Sequence, residues 1–123
     1  MPSFEEVILD HYHHPRNMGS IPDPTHHANT ENRSCGDTLS MDMSVRNDII
    51  EAIGWSGNGC ALSQGSASLL SEFALGKNVS DIRALSPENI FHLLGKSDFS
   101  PTRARCALLS LETIHHALSP SQN

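Results

Sequence analysis

Basic residues are scarce in this chain. Lys and Arg number eight against fourteen Asp and Glu in 123 residues, for a formal charge of −6. A general nucleic-acid role is excluded on that ground, because neutralising phosphates takes a clustered basic surface. Long apolar runs are missing too. None approaches the roughly 20 residues of a membrane span, so no membrane partner is expected. The opening residues, Met1-Pro2-Ser3-Phe4-Glu5-Glu6, lack a positive stretch followed by an apolar one. The expectation is therefore no secretory signal and a cytoplasmic location. Cysteine is sparse as well. Three residues, an odd number, argue against a disulfide framework and leave buried structural thiols, a metal site or a reactive thiol.

What is present is an ordinary globular composition, 37% hydrophobic and 18% charged, with no low-complexity tract and no internal repeat. The length suits one domain over 1–123, with 1–3 and 119–123 expected as flexible ends. Eight histidines invite a metal reading. Six of them, however, form the adjacent pairs His13-His14, His26-His27 and His115-His116, whose side chains diverge on a helix or strand and read as surface residues.

Phe4, Val7, Ile8 and His11 fall at helical spacing, so a helix is predicted from Phe4 to His13, capped by Ser3 and ended by Pro15. Arg16 to Thr25 is rich in Pro, Gly, Asn and Asp and reads as loop. Leu39, Met41, Met43 and Val45 then alternate with polar residues, the clearest strand signal in the chain. After an Asn47-Asp48 turn, Ile49, Glu51, Ile53 and Trp55 alternate with Ile50, Ala52 and Gly54 to complete a hairpin. The methionines read as core rather than thioether ligands.

From Ala61 the period becomes helical, with Leu62, Ser66, Leu69 and Phe73 on one face and Gly76-Lys77 as the stop. Short helices are predicted at Val79–Ala84 and, behind the Ser86 cap and Pro87, to Leu94. A last helix runs from Pro101 to about Leu118, with Ala104, Ala107, Leu108, Leu111, Ile114 and Leu118 inward. Strands first and helices later give an α+β fold: a small antiparallel sheet of about three strands with helices on one face.

Three segments could carry chemistry. In Ser34-Cys35-Gly36-Asp37, an extended backbone would point Cys35 and Asp37 the same way, so that thiolate and carboxylate converge on one ion. Alone, the triplet reads as a turn more readily than as a site. Gly57-Asn58-Gly59-Cys60 would place a thiol at the positive end of a helix dipole, which favours thiolate; a buried inert cysteine is the alternative. Arg103-Ala104-Arg105-Cys106 sets a thiol beside two guanidinium groups near a helix start, again favouring thiolate, or else a core cysteine beside solvated arginines. Taken together, three thiols and one spaced carboxylate suit tetrahedral zinc or most of an iron–sulfur cluster.

Asp10-His11-Tyr12-His13-His14-Pro15-Arg16-Asn17-Met18-Gly19, Cys35-Gly36-Asp37, Gly57-Asn58-Gly59-Cys60-Ala61-Leu62-Ser63 with Ser66-Ala67-Ser68, and Cys106 occur in the order seen in the IscU/SufU/NifU N-terminal family of iron–sulfur cluster assembly proteins. The chain resembles that family from its first helix to its last. The resemblance implies that Cys35, Asp37, Cys60 and Cys106 form the site. It also implies a scaffold that receives sulfur from a cysteine desulfurase, builds a labile [2Fe–2S] cluster and hands it to apo iron–sulfur recipient proteins. Arg103 or Arg105 would offset cluster charge.

Where IscU-like members carry a His before the last cysteine, this chain has Arg105. Where they carry a Leu-Pro-Pro-Val-Lys segment for a dedicated Hsp70-type chaperone, it has Phe99-Ser100-Pro101-Thr102-Arg103, so that partner is not expected. Arg105 and the Ser-Ala-Ser stretch resemble the SufU branch, yet the Gly95 to Ser100 connection is too short for that branch's insertion. The alternative function is a zinc-dependent sulfur shuttle, with Zn2+ or Fe2+ as occupant. Cys35 is then the expected persulfide acceptor and Cys106 the second candidate. A structural zinc domain is the third reading, disfavoured because such sites use Cys and His rather than a carboxylate.

Overall fold

The structure is a computed structural model that describes residues 2–33 and 35–119. Met1, Ser34 and residues 120–123, which include most of the expected C-terminal tail, lie outside the described residues. Eight elements follow in order: α1 (Phe4–His13), β1 (His26–Asn32), β2 (Asp37–Arg46), β3 (Ile49–Asn58), α2 (Ala61–Ala74), α3 (Val79–Arg83), α4 (Pro87–Leu94) and α5 (Pro101–Ala117). The sheet is antiparallel in the order β1-β2-β3. Helices α2 and α5 pack on its inner face, and α1 lies against α2. The α+β architecture read from the sequence is the one observed.

β1 was read from the sequence only as the surface pair His26-His27. Its residues, HHANTEN, carry no apolar alternation. Pairing with β2 makes it a strand, and Ala28 and Asn32 turn inward while His27, Asn29 and Glu31 stay exposed. The turn at Asn47-Asp48 has φ values of 52° and 64°, the left-handed pair that a two-residue hairpin requires. Beyond it the predicted alternation of β3 fails at one point. Ser44 pairs with Ala52 but Val45 with Ile50, so Glu51 is bulged out. The bulge lets both Ile50 and Ile53 face the core, with Trp55.

The predicted loop has a structural task. Trp55 exchanges backbone hydrogen bonds with Asn17 (3.1 Å) and Gly19 (2.7 Å), which covers the open edge of β3. The Arg16 N–H donates to the Ser68 hydroxyl at 2.8 Å and Asn17 Nδ2 to that of Ser71 at 3.2 Å, tying the same segment to α2. α2 is therefore buried on most sides, including Ser63, Ser66, Ser68 and Ser71, while the predicted Leu69 and Phe73 are only half-buried. α5 keeps its predicted face, with Ala107, Leu111, Ile114 and Leu118 buried and Ala104 and Leu108 half-buried, but its burial spreads further, to Cys106, Leu109, Ser110, Thr113 and Ala117. It packs against α2, β1 and β2 together, and no single helical stripe serves three neighbours. Met41 and Met43 are fully buried core residues, as expected.

Candidate metal centre

One end of the sheet gathers the three cysteines. β1 and β2 are joined by a tight turn in which the Cys35 and Gly36 N–H groups both donate to the Asn32 carbonyl, at 3.2 and 2.8 Å. Cys35 is thus in the turn that the triplet by itself suggests, and the extended backbone that would have pointed it alongside Asp37 is not the one formed. Gly36 takes φ 78°, a left-handed conformation open to glycine, and this reversal brings Cys35 over Asp37 at the first position of β2.

Cys60 is the N-cap of α2, with extended backbone angles and no side-chain cap bond. The preceding glycine matters through space and not through φ. A Cβ on Gly59 would lie 2.5 Å from Asp37 Cγ and 2.8 Å from Ser63 Oγ, so only a hydrogen there lets the carboxylate reach the helix end. Cys106 enters from the second turn of α5 and is buried.

The Cys35 and Cys106 sulfurs are 3.8 Å apart, and one ligand atom each from Cys35, Asp37 and Cys106 lie within 4.8 Å of one another. The Cys60 thiol donates to Asp37 Oδ2 at 3.4 Å. A tetrahedral ion with 2.3 Å bonds to sulfur has S···S edges of about 3.8 Å and S···O edges of about 3.6 Å. The Cys35 and Cys106 sulfurs and an Asp37 oxygen are thus close enough to meet at one ion, and the Cys60 sulfur reaches the same carboxylate from the helix end. Cys35 and Cys60 are exposed while Asp37 and Cys106 are buried, so the centre has a floor and an open side. Asn32 touches both walls, its carbonyl at 3.9 Å from the Cys35 sulfur and its amide at 4.0 Å from that of Cys106.

The electrostatics correct a second expectation. Burial, together with hydrogen bonding to Cys35 and the neighbouring Cys60, pushes the Cys106 thiol up to about 12. In the absence of a cation this sulfur is a thiol, not a favoured thiolate. Its place in the second turn of α5 puts it beyond the unpaired N–H groups of the helix start. Arg103 lines a cavity of about 380 Å³ with Phe4, Leu9, Cys60 and Cys106, whereas Arg105 lies with Glu31, Arg33 and Glu112 on another surface. Asp37 shifts the other way. Burial alone raises it, but hydrogen bonds from Cys35, Ser63 and Cys60 outweigh this and hold the carboxyl below its usual range. It is an ionised carboxylate facing the Cys60 thiol.

Comparison with known proteins gives the family. The model of the NifU-like N-terminal domain matches residues 3–122. The chain belongs to that family. Within it, the chain is 30% identical to the zinc-dependent sulfurtransferase SufU of Bacillus subtilis, covering 97% of this chain and 91% of that protein. It is 32% identical to the iron-sulfur cluster assembly scaffold protein IscU of Aquifex aeolicus, over 94% of this chain and 73% of the relative. Among solved structures, the putative iron-sulfur cluster assembly scaffold protein for the SUF system of Fervidobacterium islandicum superposes with a TM-score of 0.77 at 26% identity, covering 91% and 93% of the two chains.

The sequence of this NifU-like domain points to no role for Asn32 or Ser63, and to Gly59 only as permissive backbone between strand and helix, whereas its work is to leave room for Asp37. Ser63 stands three residues after the Cys60 N-cap, where a capping-box residue sits, and that spacing was the available signal. Asn32 carried none, because its strand was not legible.

Proposed function

We propose that this NifU-like domain is a scaffold on which a labile [2Fe–2S] cluster is assembled and then passed to apo iron–sulfur proteins, with sulfur supplied by a cysteine desulfurase. The observation that carries the reading is the donor set: Cys35, Cys106 and Asp37 within 4.8 Å of one another, with Cys60 on the same carboxylate. The cluster is cargo here. Three thiols provide affinity, and Asp37 provides an oxygen ligand that iron bound to sulfide exchanges more readily than a fourth thiolate.

Sulfur enters at Cys35. It is exposed on a turn, so its thiolate can attack the terminal sulfur of a donor persulfide. A new S–S bond forms at Cys35, the donor's S–S bond breaks, and the donor cysteine leaves as thiolate. Cys106, buried and protonated, is the poorer acceptor and serves as an anchoring ligand. Phe99 opens the segment that leads into α5. It packs on Phe4 and Phe91, with ring centroids 5.4 and 5.3 Å away, and Pro101 begins α5, so this segment is not a free extended peptide.

A second reading is a zinc-dependent sulfur shuttle, favoured by the 3.8 Å sulfur spacing and by Arg105 in place of a histidine ligand. Zinc would be held by Cys35, Asp37, Cys60 and Cys106 and would keep the thiols deprotonated. Chain length weighs the other way. The alignment to the Bacillus protein runs over 138 positions, more than the 123 residues here, so that relative carries residues this chain lacks.

Anaerobic incubation with iron, cysteine and a desulfurase, followed by visible spectra and metal analysis, separates the two. Charge-transfer bands of a [2Fe–2S] centre, lost in Cys35→Ser and Cys60→Ser, are expected. One tightly held zinc, no cluster absorbance and faster desulfurase turnover would replace the scaffold by the shuttle.

A further inference from the structure

Asn32 is the last residue of β1 and lies opposite Asp37 in the β1–β2 ladder, so these two close the hairpin that carries Cys35. Cross-strand partners share a face, and both side chains are buried, at 8% and 5% exposure. The strand is held to α5 from two residues away. Thr30, on the same inward face, hydrogen-bonds its hydroxyl to that of Thr113, which in turn donates to the Leu109 carbonyl at 2.7 Å. β1 is thereby fixed against the helix that carries Cys106, and Asn32 reaches both sulfurs by different groups. Its backbone carbonyl accepts the Cys35 and Gly36 N–H groups at 3.2 and 2.8 Å and lies 3.9 Å from the Cys35 sulfur. Its side-chain Nδ2 donates to the Cys106 sulfur at 4.0 Å.

We infer that Asn32 is a positioning residue for the metal centre: its carbonyl sets the turn that presents Cys35, and its side-chain amide holds the Cys106 sulfur by an N–H···S hydrogen bond. The inference rests on the reading of Cys106 as a ligand of that site. Any residue at this position offers the carbonyl, whereas only the side chain offers the donor, so the two tasks separate on substitution. An amide suits the second task because it donates a proton without bringing a charge of its own. It occupies one lone pair of the Cys106 sulfur and leaves the others for the side that faces Cys35, 3.8 Å away. A thiolate is a stronger acceptor than a thiol, so loading the site is expected to tighten the bond from its 4.0 Å length. Partners that orient a ligand in this way are commonly worth a factor of about 10–100 in metal affinity.

Magnetically active cadmium reads this hydrogen bond in the unsubstituted full chain, because scalar coupling passes from the metal through a ligand sulfur to a proton hydrogen-bonded to it. Proton–cadmium correlation spectra of the cadmium-loaded protein are expected to show cross-peaks to the Cys106 Cβ protons and to a side-chain amide proton of Asn32. Zinc affinity is measured alongside by competition with a chromophoric chelator. Asn32→Leu keeps the size and the backbone carbonyl but has no donor. It is expected to bind zinc at least about tenfold more weakly while its metal-free form still melts cooperatively. A cross-peak to Cys106 without one to Asn32, or an unchanged zinc affinity in Asn32→Leu, would overturn the inference and leave the site reading standing. Absence of any cross-peak from cadmium to Cys106 would overturn both. Should Asn32→Leu not fold, the cadmium spectrum of the unsubstituted chain decides alone.

Discussion

Cys35 and Cys106 face each other across 3.8 Å, yet their surroundings give them different chemistry. Cys106 is only 6% exposed and its thiol is pushed up to about 12, whereas Cys35 is open to solvent. Alkylation of the metal-free protein at neutral pH, mapped by mass spectrometry, is therefore expected to modify Cys35 and Cys60 at least about tenfold faster than Cys106. Equal rates would remove the argument for Cys35 as sulfur acceptor. Gly59 offers a second check. In Gly59→Ala the new methyl meets the Asp37 carboxyl, so a loss of about 1–3 kcal/mol in stability is expected together with weaker metal binding. Thermal melts and a zinc titration measure the two. At this scale the ligands were legible because thiols and a carboxylate are rare, chemically distinct letters. Their protonation was not, because burial depends on which neighbours the fold supplies.

Among the elements, the α1–α2 contact carries a titratable group. His11 is buried, and its Nδ1 lies 2.8 Å from the Ser68 hydroxyl, whose oxygen already accepts the Arg16 N–H. Burial first, and then Arg16, lower the affinity of this histidine for a proton, with Glu72 and Asp10 opposing. The unfolded chain then binds the proton more readily, so stability rises with pH. The contribution is present above the ordinary histidine value of 6.5 and is lost as pH falls from there through the lower folded value. Melting temperatures of His11→Asn, set against the unsubstituted chain between pH 7 and 5, are expected to fall less steeply. Parallel curves would contradict the assignment. The motif around His11 was recognised in sequence, but its work of fastening α1 and the edge of β3 to α2 was not, since serine hydroxyls on a helix announce no partner. β1 was missed for a related reason. A strand whose outer face is wholly polar and whose inward residues are Ala28, Thr30 and Asn32 has no hydrophobic period to detect.

For the whole molecule, the core extends well beyond the metal centre, which it meets at Cys106. Met41, Met43, Trp55, Leu70, Ile82, Leu94 and Ile114 are all essentially buried, and none is a proposed ligand. Chelation is expected to lower the melting temperature while leaving a cooperative transition and unchanged helical circular dichroism. Unfolding on metal removal would instead mark a structural zinc domain. The α+β class followed from periodicity that switches from two to helical near Ala61. The way two helices and a hairpin turn converge on one end of the sheet required the tertiary packing. X-ray absorption of the protein loaded with one equivalent of zinc tests that convergence most directly. Three sulfurs at about 2.3 Å and one oxygen at about 2.1 Å are expected; a shell with one sulfur or none would contradict the account.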